Sequence, residues 1–212
     1  DNVTVLNGDE MTLNFNGLVI SSLTVEEGGI VNIGTTQNHN FNTISGAGTI
    51  RLATDEFPGG TATNFIASTG GTVEYIDQSP ATDYELTIDR TFNNVIFNSI
   101  DNNITLKADL TLNGNMTVAS GTLQINDDVA DTYTDNTTPL DIYVAGNISV
   151  EASGAITVGD VDASSKIGTS DVFTFHEIEL LGDLTNDGTI RFTNLSSISI
   201  TDGRYRDKYP TA

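Results

Sequence analysis

The stretch Leu110-Thr111-Leu112-Asn113-Gly114-Asn115-Met116-Thr117-Val118 returns without a gap as Ile142-Tyr143-Val144-Ala145-Gly146-Asn147-Ile148-Ser149-Val150. Both copies alternate apolar and polar residues, the period of a strand with one buried face, and both turn at Gly-Asn. Glycine and asparagine reach positive φ at little cost, so the pair marks a corner between two short strands. A weaker third copy is Gly182-Asp183-Leu184-Thr185-Asn186-Asp187-Gly188. A strand–corner–strand unit that recurs within one chain is the mark of a repeat architecture.

A shorter phrase extends the pattern over most of the chain. It consists of a glycine, a small residue, an aliphatic, a variable residue and another apolar one. It occurs as Gly48-Thr49-Ile50-Arg51-Leu52, Gly71-Thr72-Val73-Glu74-Tyr75, Gly121-Thr122-Leu123-Gln124-Ile125, Gly154-Ala155-Ile156-Thr157-Val158 and Gly188-Thr189-Ile190-Arg191-Phe192. Looser versions are Gly29-Ile30-Val31 and Asn94-Val95-Ile96-Phe97. Successive copies lie 19, 23, 23, 27, 33 and 34 residues apart. An interval near twenty is the length of one coil of a β-solenoid. The longer intervals contain polar inserts, Asn126 to Thr138 and Asp160 to Asp171, which read as loops projecting from a constant coil.

The spacing therefore predicts an all-β fold, a right-handed parallel β-helix (β-solenoid) of about seven to eight coils over residues 1–203. Loop inserts are expected near 126–138 and 160–174, and a basic tail or linker at 204–212. The hand follows from the rule that parallel crossovers within one sheet are right-handed. Coils stacked about 4.8 Å apart would form a rod roughly 35 Å long, with aliphatics in interior columns and Asn and Thr ladders at the corners. An antiparallel sandwich also alternates Val, Ile and Leu between Gly-Asn turns. Sandwich strands are usually longer, however, and nothing in a sandwich requires one phrase at coil-length spacing. No segment sustains a 3.6-residue apolar period, so helices should be few and short.

Composition narrows the partners. A 37% hydrophobic content supplies a core, and a net charge of −21, from 29 acidic against 8 basic residues, repels phosphate backbones and anionic lipids. Nucleic acid is excluded as a partner on that ground. No apolar run is long enough to span a bilayer, so no transmembrane segment is expected. The absence of cysteine removes disulfides, thiolate metal sites and cysteine nucleophiles. With Asp1 at its start and Tyr209-Pro210-Thr211-Ala212 at its end, the chain reads as a piece of something longer.

Few residues suggest chemistry. His39 and His176 belong to no metal-ligating pattern and read as solvated or packed. No Gly-x-Ser-x-Gly elbow or phosphate loop occurs. Asp127-Asp128 is the nearest approach to the paired acids of β-helical glycosidases, but no His-Gly or Arg-x-Lys phrase completes such a site. Arg51, Arg90, Lys107, Lys166 and Arg191 show no cluster that could serve a lyase. The chain is accordingly expected not to be an enzyme. Calcium is the more credible ligand. Asp127, Asp128, Asp131 and Asp135 crowd one insert, Asp160 and Asp162 form an Asp-x-Asp pair, and clustered loop carboxylates suit a hard cation. The plainer reading of the same residues is a solvated acidic loop.

Thr91-Phe92-Asn93-Asn94-Val95-Ile96-Phe97, the run from Ile104 to Asn115, and the run from Leu181 to Gly188 resemble large surface proteins of Bacteroidota. These are hemagglutinin-like or gliding-type adhesins, often exported by the type IX system, and the resemblance spans most of residues 20 to 200. It implies a long extracellular or cell-surface rod, whose partners are neighbouring coils of the full-length chain, secretion or cell-surface machinery, and a glycan or protein ligand on a host or other surface. The function expected is thus a non-catalytic structural or adhesive segment. The alternative is a carbohydrate-binding or polysaccharide-degrading β-helix protein.

Overall fold

The structure, a computed structural model, describes residues 1–125, 140–158 and 177–192. No helix occurs among them, and every strand pairing is parallel. The chain passes repeatedly through the same sequence of strands, each passage forming one level. The first four levels are β1 (Asn2–Val5) with β2 (Glu10–Thr12), β3 (Ser22–Val25) with β4 (Ile30–Gly34), β5 (Asn40–Ser45) with β6 (Thr49–Leu52), and β7 (Gly59–Thr61) with β8 (Thr72–Ile76). After β9 (Tyr84–Leu86) come β10 (Arg90–Phe92) with β11 (Asn94–Leu106), then β12 (Leu110–Leu112) with β13 (Met116–Ile125). The last are β14 (Asp141–Val144) with β15 (Ile148–Val158), and β16 (Glu177–Leu180) with β17 (Leu184–Asn186) and β18 (Thr189–Phe192).

Three sheets result. Two are four-stranded, β1-β3-β5-β7 and β10-β12-β14-β16. The third has ten strands, with β17-β15-β13-β11-β8-β6-β4-β2 in line, β9 beside β11 and β18 beside β15. All three send their inward side chains into one core that runs from Val5 to Ile156.

Parallel stacking in register places like residues on like. One inward column of the large sheet reads Met11, Val31, Ile50, Val73, Val95, Met116 and Ile148, and Leu184 continues its register at 54% exposure. The next reads Leu52, Tyr75, Phe97, Val118 and Val150. Each fully buried aliphatic or aromatic side chain in such a column contributes about 1.5–3 kcal/mol of transfer free energy. The polar residues between them face outward, which is the alternation that the sequence displays.

The register expected from the longest repeat is present. Leu110, Thr111 and Leu112 lie opposite Ile142, Tyr143 and Val144, and Met116, Thr117 and Val118 opposite Ile148, Ser149 and Val150. Ile148 lies in turn opposite Leu184. The corner between these strands carries an asparagine ladder. The backbone N–H of Asn115 donates to Asn94 Oδ1, that of Asn147 to Asn115 Oδ1, and that of Asp183 to Asn147 Oδ1, all at 2.8–2.9 Å. The preceding glycine makes room for it: a Cβ on Gly146 would lie 2.4 Å from Asn115 Oδ1. These partners are 21, 32 and 36 residues apart in sequence, so the added chain length leaves the corner in register.

The shorter phrase stacks differently from a single series. Copies at 29, 48, 71 and 94 do share one face, with Ile30 opposite Thr49, Thr49 opposite Thr72 and Thr72 opposite Asn94. Val95 then lies opposite Met116, whereas Thr122 lies opposite Asn103. The copies at 121, 154 and 188 occupy the second halves of β13 and β15 and strand β18, beyond a bend in the large sheet. The 27-residue interval is therefore a change of face rather than one long level. The inserts near 126–138 and 160–174, and the tail 204–212, lie outside the described residues.

Candidate functional site

Because levels stack, outward polar residues also fall into lines, and the longest line crosses the ten-stranded sheet. Its centre is Glu74, only 7% exposed on β8. Arg51 Nε donates to Glu74 Oε2 at 2.7 Å, and Asn98 Nδ2 to Glu74 Oε1 at 2.8 Å. Toward one end, Arg51 also approaches Glu10 at 3.6 Å, and Asn32 Nδ2 donates to Glu10 Oε1 at 3.3 Å. Toward the other, the Ser120 hydroxyl donates to Asn98 Oδ1 at 2.8 Å. A buried carboxylate is tolerated only when paired, and here both oxygens are engaged, one by a guanidinium on the level before and one by an amide on the level after. Chemically, the line clamps adjacent levels together. It holds no free acid or base at Glu74.

Arg90 and Lys107 are likewise engaged. Arg90 Nη2 donates to the Asp55 carbonyl at 2.6 Å, and Lys107 Nζ lies 2.7 Å from Glu85 Oε1. A second line is acidic. Asp89 Oδ1 accepts the backbone N–H of Asp109, and Asp109 Oδ1 accepts that of Asp141, at 3.1 and 2.9 Å. Asp77 caps the bend of β11, receiving the Ser99 hydroxyl at 2.7 Å and the N–H groups of Asp101 and Ile100 at 2.9 and 3.2 Å. Burial pushes the Asp77 pKa up, but these hydrogen bonds outweigh it and hold the carboxyl below its ordinary 3.8. These carboxylates bond the next level: Asp89 and Asp109 each take one backbone N–H, and Asp77 takes two together with a hydroxyl.

His39 packs rather than reacts. It precedes the body of β5, is 4% exposed and stacks on Phe41 at 5.8 Å. Its Nδ1 accepts the Leu18 N–H at 3.1 Å, so the proton sits on Nε2 and points at the Thr36 hydroxyl, 2.9 Å away; Thr36 donates onward to the Ile33 carbonyl. Burial lowers its pKa below the ordinary 6.5, against the opposing pull of Glu56. The imidazole is a neutral bridge between levels.

The expected calcium ligands Asp127, Asp128, Asp131, Asp135, Asp160 and Asp162, together with His176, lie outside the described residues. Among the described residues no group of three or more His, Cys, Asp or Glu could hold a metal ion, and no helix is long and apolar enough to cross a membrane. The Glu10–Ser120 line escaped the sequence reading, although its members Asn32, Arg51, Glu74 and Asn98 recur at coil-length spacing. Comparison with protein-family models, with curated proteins and with solved structures found no match.

Proposed function

We propose that residues 1–203 form a right-handed parallel β-helix that acts as a non-catalytic structural and adhesive segment of a large secreted or cell-surface bacterial protein. The observation that carries this reading is the fate of the polar side chains. Glu74, Arg51, Asn98, Asn115, Asn147, His39 and Asp77 all spend their hydrogen bonds on the level above or below. Groups that elsewhere do chemistry here keep the rod in register, and the chain as a whole is strongly acidic. Such a body suits a rigid spacer that presents an extended surface to an extracellular glycan or protein.

The test is a screen of neutral and acidic polysaccharides incubated with the purified protein, read by the release of reducing ends and of unsaturated sugar products. The expected result is no turnover above a buffer control. Turnover that survives rigorous purification would replace this reading with that of a polysaccharide-degrading β-helix.

A further inference from the structure

The run from Leu13 to Ile20 leaves β2 and closes the first level, and it pairs with the run from Asn32 to Asn40 on the second. Leu13, Gly17 and Ile20 donate their N–H groups to the carbonyls of Asn32, Gln37 and Asn40 at 2.8, 2.9 and 3.0 Å. Asn40 N–H donates back to the Leu18 carbonyl at 2.9 Å. The Leu18 N–H departs from this backbone ladder and ends on a side chain, His39 Nδ1, 3.1 Å away.

The other ring nitrogen fixes the protonation state. His39 Nε2 faces the Thr36 hydroxyl at 2.9 Å, and that hydroxyl is committed as a donor to the Ile33 carbonyl at 2.6 Å. Thr36 therefore accepts from Nε2–H, and Nδ1 is a bare acceptor. A second proton has one place to go, Nδ1, where it meets the Leu18 N–H donor against donor. The buried ring, stacked on Phe41, offers that proton no water. Charged side chains give little relief. The runs 13–19 and 35–38 and strand β5 carry none. On the run after β6, Asp55 Oδ2 is taken up by Thr87, and Glu56 accepts the Asn38 N–H. Glu56 pulls toward the charged ring, but the desolvation of the ring outweighs it.

We propose that His39 is an acid-operated latch: protonation of its imidazole releases the run from Leu13 to Ile20, and with it the first level, from the second. The open state accommodates the proton and the closed state does not, so acid favours opening. Because His39 titrates lower when closed than when open, the latch is fully shut above about pH 6.5. Its contribution is lost as pH falls from there toward the closed-state value. Opening bares the edges of β3 and β4 that β1 and β2 cover. The latch rests on the stacking of levels and is independent of the role proposed outside the cell.

Amide hydrogen exchange of the whole protein, followed by NMR from about pH 7.5 to about pH 5.5 and corrected for intrinsic rates, reads the latch directly. Protection of the Leu18 N–H is expected to fall, by as much as roughly tenfold over that range. Met116, whose N–H donates to the Asn147 carbonyl far from either histidine in sequence, should hold steady. His39→Asn sets near the Nδ1 position an amide oxygen that takes no proton, and in that variant Leu18 protection should no longer depend on pH. Unchanged protection across the range, a fall shared by Met116, or a fall that persists in His39→Asn overturns the proposal. Should the variant not fold, titration of the His39 imidazole in the unaltered protein decides. A midpoint below about 6.5 with the proton of the neutral ring on Nε2 is expected, and a midpoint at or above that value overturns the proposal.

Discussion

Gly121→Ala is expected to destabilise the protein by about 4 kcal/mol or more and to lower its thermal midpoint by roughly 10 °C. Gly121 sits at the bend of β13 with φ of +72°, where an L side chain is strained. A Cβ there would also lie 1.5 Å from the Ser99 carbonyl oxygen on the level before. That atom belongs to the backbone, so relief requires two levels to separate, and the stacked column above and below resists. Gly8→Ala supplies the control. Its φ is +84°, yet nothing lies within 4 Å of the added carbon. Only the conformational term remains, about 1–2 kcal/mol. Thermal denaturation of the two variants separates the contributions; equal shifts would mean that close stacking of levels at Gly121 is not what the glycine serves.

Phe97→Ala is expected to cost about 3–5 kcal/mol, and more if the lost ring contact adds its own part. Phe97 is 1% exposed and occupies the middle of the column Leu52, Tyr75, Phe97, Val118 and Val150. Its ring lies nearly parallel to that of Tyr75, at an interplanar angle of 10°. Truncation opens a gap that neither neighbouring level can fill, because each is fixed by its own ladder of backbone hydrogen bonds. Phe15, 52% exposed, gives the contrast, with an expected change within about 0.5 kcal/mol for Phe15→Ala. Urea titration measures both, and a cost below about 1 kcal/mol at Phe97 would contradict a single continuous core.

What could be read from the sequence follows from what a level must keep. A Gly-Asn corner and alternating aliphatics must recur at each level, so the match of 110–118 to 142–150 and to 182–188 gave the strand register residue by residue. The phrase headed by Gly121 misled because the corner before β4, β6 and β8 and the bend within β13 demand the same thing, a glycine close to a neighbouring backbone followed by an inward aliphatic. Composition at a corner does not say which corner it is. The line from Glu10 through Arg51 and Glu74 to Ser120 was hidden for the opposite reason. Its members share a position and a bonding role but no chemical type, so no phrase repeats. Asp55 and Arg90 were harder still, being 35 residues apart with the β7–β8 level between them in sequence.

The central claim is that successive levels pair in parallel with like residues in register, and cysteine cross-linking tests it most directly. The chain has no cysteine of its own, so an introduced pair reports without interference. Thr117 and Ser149 lie opposite one another on β13 and β15, both half-buried on the outer side. Adjacent strands are about 4.8 Å apart, within the Cα separation of about 4.4–6.8 Å that a disulfide spans. Displacing one partner by two residues stretches the distance to roughly 8 Å, beyond reach. Under mild oxidation of the folded protein, Thr117→Cys with Ser149→Cys should close a disulfide, and Thr117→Cys with Glu151→Cys should not. Closure of the displaced pair in preference to the registered one would contradict the account.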